Sequence, residues 1–267
     1  MMVNTGNLLK MKTNFESGVV DYTLILDNKE INMNDLIGTP VSVEFEHQIN
    51  CIKCGRLIPK SYGQGFCFPC FRSAPEADEC VLRPERCQAH LGISRDMEWS
   101  KSHCLTDHYV YLALSSGLKV GVTRATQVPT RWIDQGAVQA VKIAKTPNRY
   151  LAGRIEVALK EFMADKTNWR NMLTNTIDGG VDLLQEKARI PELLDEELAD
   201  YLIDDDQMLE LNYPVQEYPV KVKSMGLDKN PVLKGILKGI KGQYLIFDEG
   251  RVVNVRNHSG YRVTLRY

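Results

Sequence analysis

The spacing of the cysteines constrains this chain more than any other feature. All seven lie between Cys51 and Cys104. Four of them form the pairs Cys51-x2-Cys54 and Cys67-x2-Cys70, with twelve residues between the pairs. Two residues between cysteines let a tight knuckle aim both sulfurs at one ion, and two knuckles supply the four thiolates of a tetrahedral zinc site. Gly55 follows the first pair directly, where the turn needs it. The linking stretch at residues 60–66, KSYGQGF, is short, flexible and aromatic, which suits a ribbon hairpin. Four free cysteines are the plainer reading, and the spacing argues against it. With four protein ligands such a zinc has no open position, so its role is structural.

Cys80, Cys87 and Cys104 complete a second zinc site if a histidine joins them. His108 is the expected fourth ligand, because Cys104-x3-His108 suits turn spacing. His90 and His103 compete for the role. The alternative is that these three cysteines are small buried hydrophobes. Composition favours metal over disulfides. No apolar run approaches the 18 residues of a transmembrane helix, and the start MMVNTGNLLKMKTN lacks the apolar core and cleavage site of a signal peptide. A cytoplasmic chain with no membrane partner is expected, and there thiols stay reduced.

The net charge of −1 hides a segregation. From Lys119 to Arg170 there are ten Lys/Arg against four Asp/Glu, and the same counts hold from Val215 to Tyr267. Between Pro191 and Glu210 lie nine acidic residues and no basic one. Basic blocks suit a polyanion such as DNA or RNA. The plainer alternative is a solvated surface whose basic blocks pair with the acidic stretch. Arg124, Lys142 and Arg149 are the candidate nucleic-acid contacts.

Residues 108–123, HYVYLALSSGLKVGVT, read as a hairpin. Tyr109–Leu114 and Leu118–Val122 have strand composition, and Ser115-Ser116-Gly117 supplies the turn. Tyr109 and Tyr111 share one face, as do Lys119 and Gly121. A short helix over 130–136 carries Arg131 behind Pro129. A longer helix from Arg149 to about Ala164, capped by Asn148, carries Glu156. Its expected buried stripe is Leu151, Ile155, Leu159 and Phe162, with Glu156 at the edge of that stripe and Glu161 and Asp165 in solvent.

A Tyr on a hairpin, an Arg on a short helix and a Glu on a longer helix form an ordered set. Over residues 108–170 this set resembles the GIY-YIG nuclease superfamily, in its branch with a Lys in the second tripeptide. Tyr109-Val110-Tyr111 stands for the first tripeptide and Lys119-Val120-Gly121 for the second. The whole chain, with its cysteine-rich segment ahead of the hairpin, also resembles a bacterial zinc-ribbon-containing family of unassigned function. The resemblance implies that Glu156 holds Mg²⁺ or Mn²⁺, that Arg131 contacts the scissile phosphate, and that Tyr111 helps activate water. Lys119 replaces the second tyrosine. Cations such as Lys119 or Arg124 are expected to lower the pKa of the tyrosine. Each of these residues also has a plain role open to it, packing for the tyrosines and an ion pair for Arg131 and Glu156.

The remaining sequence completes an α+β reading. Residues 1–16 look like a loose tail. Val19–Leu26 and Val41–His47 read as strands, residues 168–173 as a short helix, and residues 177–190 and 191–211 as two longer helices. Val220–Val222, Tyr244–Phe247, Val252–Val255 and Tyr261–Leu265 read as strands with glycine turns between them. Five segments result. Residues 1–50 hold N-terminal strands that pack with the C-terminal part, and 51–107 form the zinc module. Residues 108–175 form the GIY-YIG-like core, 176–214 an acidic helical extension, and 215–267 a small β-barrel that the N-terminal strands join. The expected function is metal-dependent cleavage of nucleic-acid phosphodiesters, with structural zinc at one or two sites. A non-catalytic zinc-containing nucleic-acid-binding protein is the first alternative. A protein–protein adaptor docking through Asp204–Asp206 is the second.

Overall fold

The structure is a computed structural model and describes residues 2–16, 18–164 and 166–267, so Asp165 lies outside the described residues. Its strands are β1 (Val3–Asn14), β2 (Asp21–Leu26), β3 (Lys29–Asn32), β4 (Pro40–Asn50), β5 (Leu57–Ile58), β6 (His108–Leu114), β7 (Leu118–Arg124), β8 (Gln139–Thr146), β9 (Met208–Glu210), β10 (Lys223–Ser224), β11 (Val232–Lys241), β12 (Tyr244–Phe247), β13 (Arg251–Asn254) and β14 (Tyr261–Arg266). Its helices are α1 (Phe68–Ser73), α2 (Met97–His103), α3 (Thr130–Asp134), α4 (Arg149–Leu159), α5 (Trp169–Leu173), α6 (Leu183–Arg189) and α7 (Glu196–Ala199). The chain divides into two units. One gathers Met1–Arg72, Leu173–Asn175 and Asn212–Tyr267, and the other Ser73–Met172 and Thr176–Leu211.

The first unit is built on one ten-stranded sheet in the order β10-β13-β12-β11-β4-β14-β1-β2-β3, with β5 attached to β4. Strands from both ends of the sequence interleave in it. β1 is central to this arrangement. Its residues Val3–Asn7 pair with β14, and its residues Leu8–Asn14 pair with β2. The loose tail expected over residues 1–16 is therefore a strand. Polar residues such as Asn4, Asn7, Lys10 and Lys12 mask its alternation, and only Gly6, Leu8 and Met11 are buried within it. Leu8, Leu24, Val43, Leu245, Val253 and Val263 meet in one apolar interior, so the sheet curls. It does not close, because the hydrogen-bonded path ends at β3 and β10. The expected small barrel is thus an open curled sheet, in which β1 hands over from one neighbour to the next and extends the path.

Two further differences lie in the C-terminal strands. Gly235 and Gly239 read as turn residues but lie inside β11. A Cβ at Gly235 would run into Asp248 and Arg251, and one at Gly239 into Val215, so both mark close approach within a strand. Val220, expected in a strand, is fully exposed, and pairing begins only at β10.

The second unit holds the sheet β7-β6-β8-β9. β6 and β7 pair without a break from His108–Arg124 to Leu114–Leu118, which is the expected hairpin. Val110, Leu112, Val120, Val141 and Ile143 pack with Ala152, Ile155 and Leu159 of α4. The Asn148 side chain caps α4 by accepting from the Leu151 N–H at 3.0 Å. α4 ends at Leu159, short of Ala164, because the chain then turns to join the sheet edge. There the Val120 N–H donates to the Ala164 carbonyl at 2.9 Å. Phe162, expected in the buried stripe, is exposed as a result.

The two long helices expected over 177–211 are broken into α6, a 3-10 turn at Ile190–Leu193, α7 and β9. Pro191 interrupts the pattern. Met208 and Leu209 leave it to pair with β8. Asp204–Asp206 form a loop rather than a helix. Lysines hold that loop: Lys142 Nζ lies 2.6 Å from Asp205, and Lys187 Nζ 2.9 Å from Asp206. Among the described residues no helix is long and apolar enough to cross a membrane.

Candidate functional site

The paired-cysteine motif folds as its spacing predicts. The sulfurs of Cys51, Cys54, Cys67 and Cys70 all lie within 4.8 Å of one another, and those of Cys54 and Cys67 are 3.8 Å apart. Zinc–sulfur bonds of ~2.3 Å in a tetrahedron put sulfurs about 3.8 Å apart, so the set fits one zinc ion. The first knuckle turns at Gly55, whose φ is +72° and whose N–H donates to the Cys51 carbonyl at 2.8 Å. Burial opposes ionisation of Cys51. Hydrogen bonds from the backbone of Cys67, Cys54 and Lys53 nevertheless bring its thiol down to about 6. A thiolate is thus available near neutral pH, as metal binding requires.

Cys80, Cys87 and Cys104 form the second cluster, also with sulfurs within 4.8 Å of one another. Three pieces of irregular chain deliver them. The Asp78 carboxylate accepts from the Cys80 N–H at 3.2 Å. Cys87 closes the turn at Pro84–Arg86, and Cys104 caps α2 with its N–H on the Ser100 carbonyl at 2.7 Å. α4 holds the cluster in place. Arg149 Nη1 donates to Cys80 Sγ at 3.3 Å, and Nη2 donates to the His103 carbonyl at 2.9 Å. One turn on, Gly153 leaves no room for a side chain, because a Cβ there would strike the backbone of Pro84 and Glu85. Hydrogen bonds from Cys80 and Cys87 lower the Cys104 thiol, and Arg149 adds to the effect. Hydrogen bonds with Cys104 and Cys80, together with burial, push the Cys87 thiol up. Both clusters are able to hold zinc.

Among the described residues no histidine joins the second cluster, and the expected set with His108 is not assembled. His108 is buried, and its Nδ1 lies 2.7 Å from the Thr106 carbonyl. Its Nε2 has no hydrogen-bond partner. His90 stacks on Tyr150 at 4.4 Å, and His103 stacks on Trp99 at 3.9 Å. The side chain that meets Cys80 is the Arg149 guanidinium, not an imidazole. Arg149 is therefore buried against sulfur, rather than displayed to a nucleic acid.

The tyrosine of the hairpin is the other focus. Tyr111 is fully buried beside Trp132, and its hydroxyl donates to Gln135 Oε1 at 2.9 Å. It lies over Gly121, where a Cβ would come within 2.6 Å of the hydroxyl. Burial raises the Tyr111 pKa, and the nearby Glu156 carboxylate raises it further, whereas Arg131 and Gln135 act to lower it. The net shift is upward. The expectation that cations would turn Tyr111 into a base is corrected: it stays a phenol and donates. The charges of Arg131 and Glu156 thus both act on the Tyr111 hydroxyl. Glu156 is nearly buried, with Lys160 Nζ 3.3 Å from its carboxylate. Lys119 is buried too, and its ammonium donates to Thr167 Oγ1 at 3.5 Å. Lys142 is held by Asp205 and lies over the Tyr109 ring at 5.2 Å. Arg124 is half-buried, with Arg149 and Cys104 as its charged neighbours.

Sequence reasoning missed Gln135 and Lys160. Both had a signal, since each follows a candidate residue, Arg131 or Glu156, by four positions on a helical stretch.

No curated protein and no solved structure matches the chain. The profile of DUF2797, described as a protein of unknown function, matches residues 38–263, well over half of the sequence, and the chain belongs to that family.

Proposed function

We propose that the β6–β7 hairpin, α3 and α4 form a site that binds and hydrolyses a nucleic-acid phosphodiester, in the manner of the GIY-YIG nucleases that these segments resemble. What supports this reading is that the hairpin packs against both helical segments: Tyr111 donates to Gln135 at 2.9 Å and lies beside Trp132, the neighbour of Arg131, while Val110 and Leu112 pack with Ile155 of α4, the neighbour of Glu156. Each residue brings a distinct capacity. Arg131 offers a fork of N–H donors that matches two phosphate oxygens. Glu156 offers one carboxylate, and Mg²⁺ or Mn²⁺ held there would stabilise charge on the phosphate. Tyr111, fully buried, fixes the half-buried Gln135 beside Arg131 by donating to its Oε1. Lys160 pairs with one oxygen of the Glu156 carboxylate in this structure and would compete with a metal ion for it. Hydrolysis then adds water across one P–O bond and leaves a phosphomonoester and a hydroxyl.

A second reading has one observation in its favour. Lys119 stands in place of a second tyrosine and is buried against Thr167, so the site has a single candidate phenol. A domain that binds phosphate without cleaving it would keep Arg131 and dispense with the rest. Incubating the purified chain with DNA and RNA in Mg²⁺ or Mn²⁺ separates the two. Cleavage that Arg131→Ala and Glu156→Ala abolish supports hydrolysis. Binding that weakens with salt but ignores Glu156→Ala, without cleavage, supports the second reading.

A further inference from the structure

The second cysteine cluster differs from the first in a way that bears on chemistry. Its three cysteines are buried, at 7%, 3% and 1% residue exposure for Cys80, Cys87 and Cys104. With sulfurs within 4.8 Å of one another, they suit a single ion. An iron–sulfur cube would need each thiolate on a different iron, hence further apart. Three thiolates fill three corners of a tetrahedron. Among the described residues no other histidine, cysteine or carboxylate reaches the fourth.

Beside the sulfurs lies a cavity of about 290 Å³, lined by all three cysteines together with Gln88, Ser94 and Ser100. At ~30 Å³ per water molecule this is room for several waters or one small molecule. Its charged walls cancel: Arg86 pairs with Glu79 at 2.7 Å, and Arg95 pairs with Asp78 at 3.1 Å. Zinc with three thiolates carries one negative charge, and the buried Arg149 at 3.3 Å from Cys80 Sγ offsets it. A neutral donor at the fourth corner leaves this balance intact, whereas an anion would upset it.

We propose that Cys80, Cys87 and Cys104 bind one zinc ion whose fourth ligand is a water molecule from the adjoining cavity, exchangeable for a small neutral nitrogen donor. This is independent of the phosphodiesterase reading, which uses other residues. A zinc with three protein ligands and one exchangeable position is poised for Lewis-acid chemistry or ligand sensing, unlike a closed structural site.

Cobalt(II) substitution tests the proposal, because the visible absorption of cobalt reports its ligands. The full chain is loaded with cobalt(II) and titrated with imidazole. The expected result is two cobalt ions per chain, one of which shifts its visible bands in a saturable way while staying bound. His108→Ala behaves as wild type, and Cys87→Ser loses only the imidazole-sensitive centre. If Cys87→Ser does not fold, the wild-type and His108→Ala spectra still decide. Four outcomes overturn the proposal: one cobalt per chain, two cobalt ions both indifferent to imidazole, release of cobalt rather than a shift, or loss of the second centre in His108→Ala.

Discussion

The two cysteine clusters achieve similar sulfur spacing by opposite routes. Cys51, Cys54, Cys67 and Cys70 lie in two short knuckles, each of which sets its own geometry through local turns such as the one at Gly55. Cys80, Cys87 and Cys104 are scattered over irregular chain, and α4 helps hold them, through Arg149 and Gly153. The first route supplies four thiolates and a closed site. The second supplies three and borders a cavity. Local spacing can specify a ligand set completely, but a set assembled by packing inherits its completeness from the surrounding fold.

The contrast is most exposed at the first cluster. Replacing Cys51 and Cys67 together by serine should remove one zinc per chain and cost several kcal/mol, because metal affinity at such a site is folding energy. Metal analysis and protease cleavage within residues 51–70 check this. Retained zinc stoichiometry would erase the distinction between the clusters.

Packing should matter more at the second cluster. Gly153→Ala forces a methyl group onto the Pro84–Glu85 backbone and should destabilise the second unit by about 1–3 kcal/mol. It should also weaken metal binding by the three cysteines while sparing the other four. Denaturant unfolding with metal counting measures both. An equal loss at both clusters would show that α4 does not hold the second one specifically.

The smallest effect concerns how each unit holds a buried cation. In the second unit Arg149 meets sulfur. In the first, Lys241 is buried with Nζ 2.8 Å from Asn175 Oδ1 and between the Tyr213 and Tyr218 rings, at 5.3 and 5.2 Å. Burial brings its pKa down to about 8. Between pH 8 and the ordinary lysine value the unfolded chain holds a proton that the folded chain lacks, so stability should rise with pH across that window. The gain should be on the order of 2 kcal/mol, and Lys241→Met should lack it. Unfolding midpoints of both proteins at pH 7.5 and pH 10 provide the comparison, and parallel pH responses would count against the burial argument.

The parts of the molecule that sequence made legible are those with local codes. Asn148 as a helix cap, the Ser115–Gly117 turn and the Cys-x2-Cys knuckles each need only their neighbours. β1 was illegible because its alternation is masked by polar residues and one of its two partner strands, β14, lies at the other end of the chain. β11 was hidden by glycines that serve close packing rather than turns. The fourth ligand escaped for a different reason. Turn spacing puts His108 within reach of Cys104, but its ring turns to a carbonyl two residues back, which ties Nδ1 to Thr106. At the hairpin, residue order offered Tyr111, Arg131 and Glu156 as a set by resemblance alone, and burial of the tyrosine reversed the expected direction of its pKa.

The most direct measurement of the central claim compares binding and cleavage by one conservative variant, Glu156→Gln. With Mn²⁺ and a labelled nucleic acid, the account predicts affinity within about twofold of wild type and cleavage reduced by roughly 100-fold or more. Equal cleavage by both proteins, or none by wild type, would contradict hydrolysis at this site.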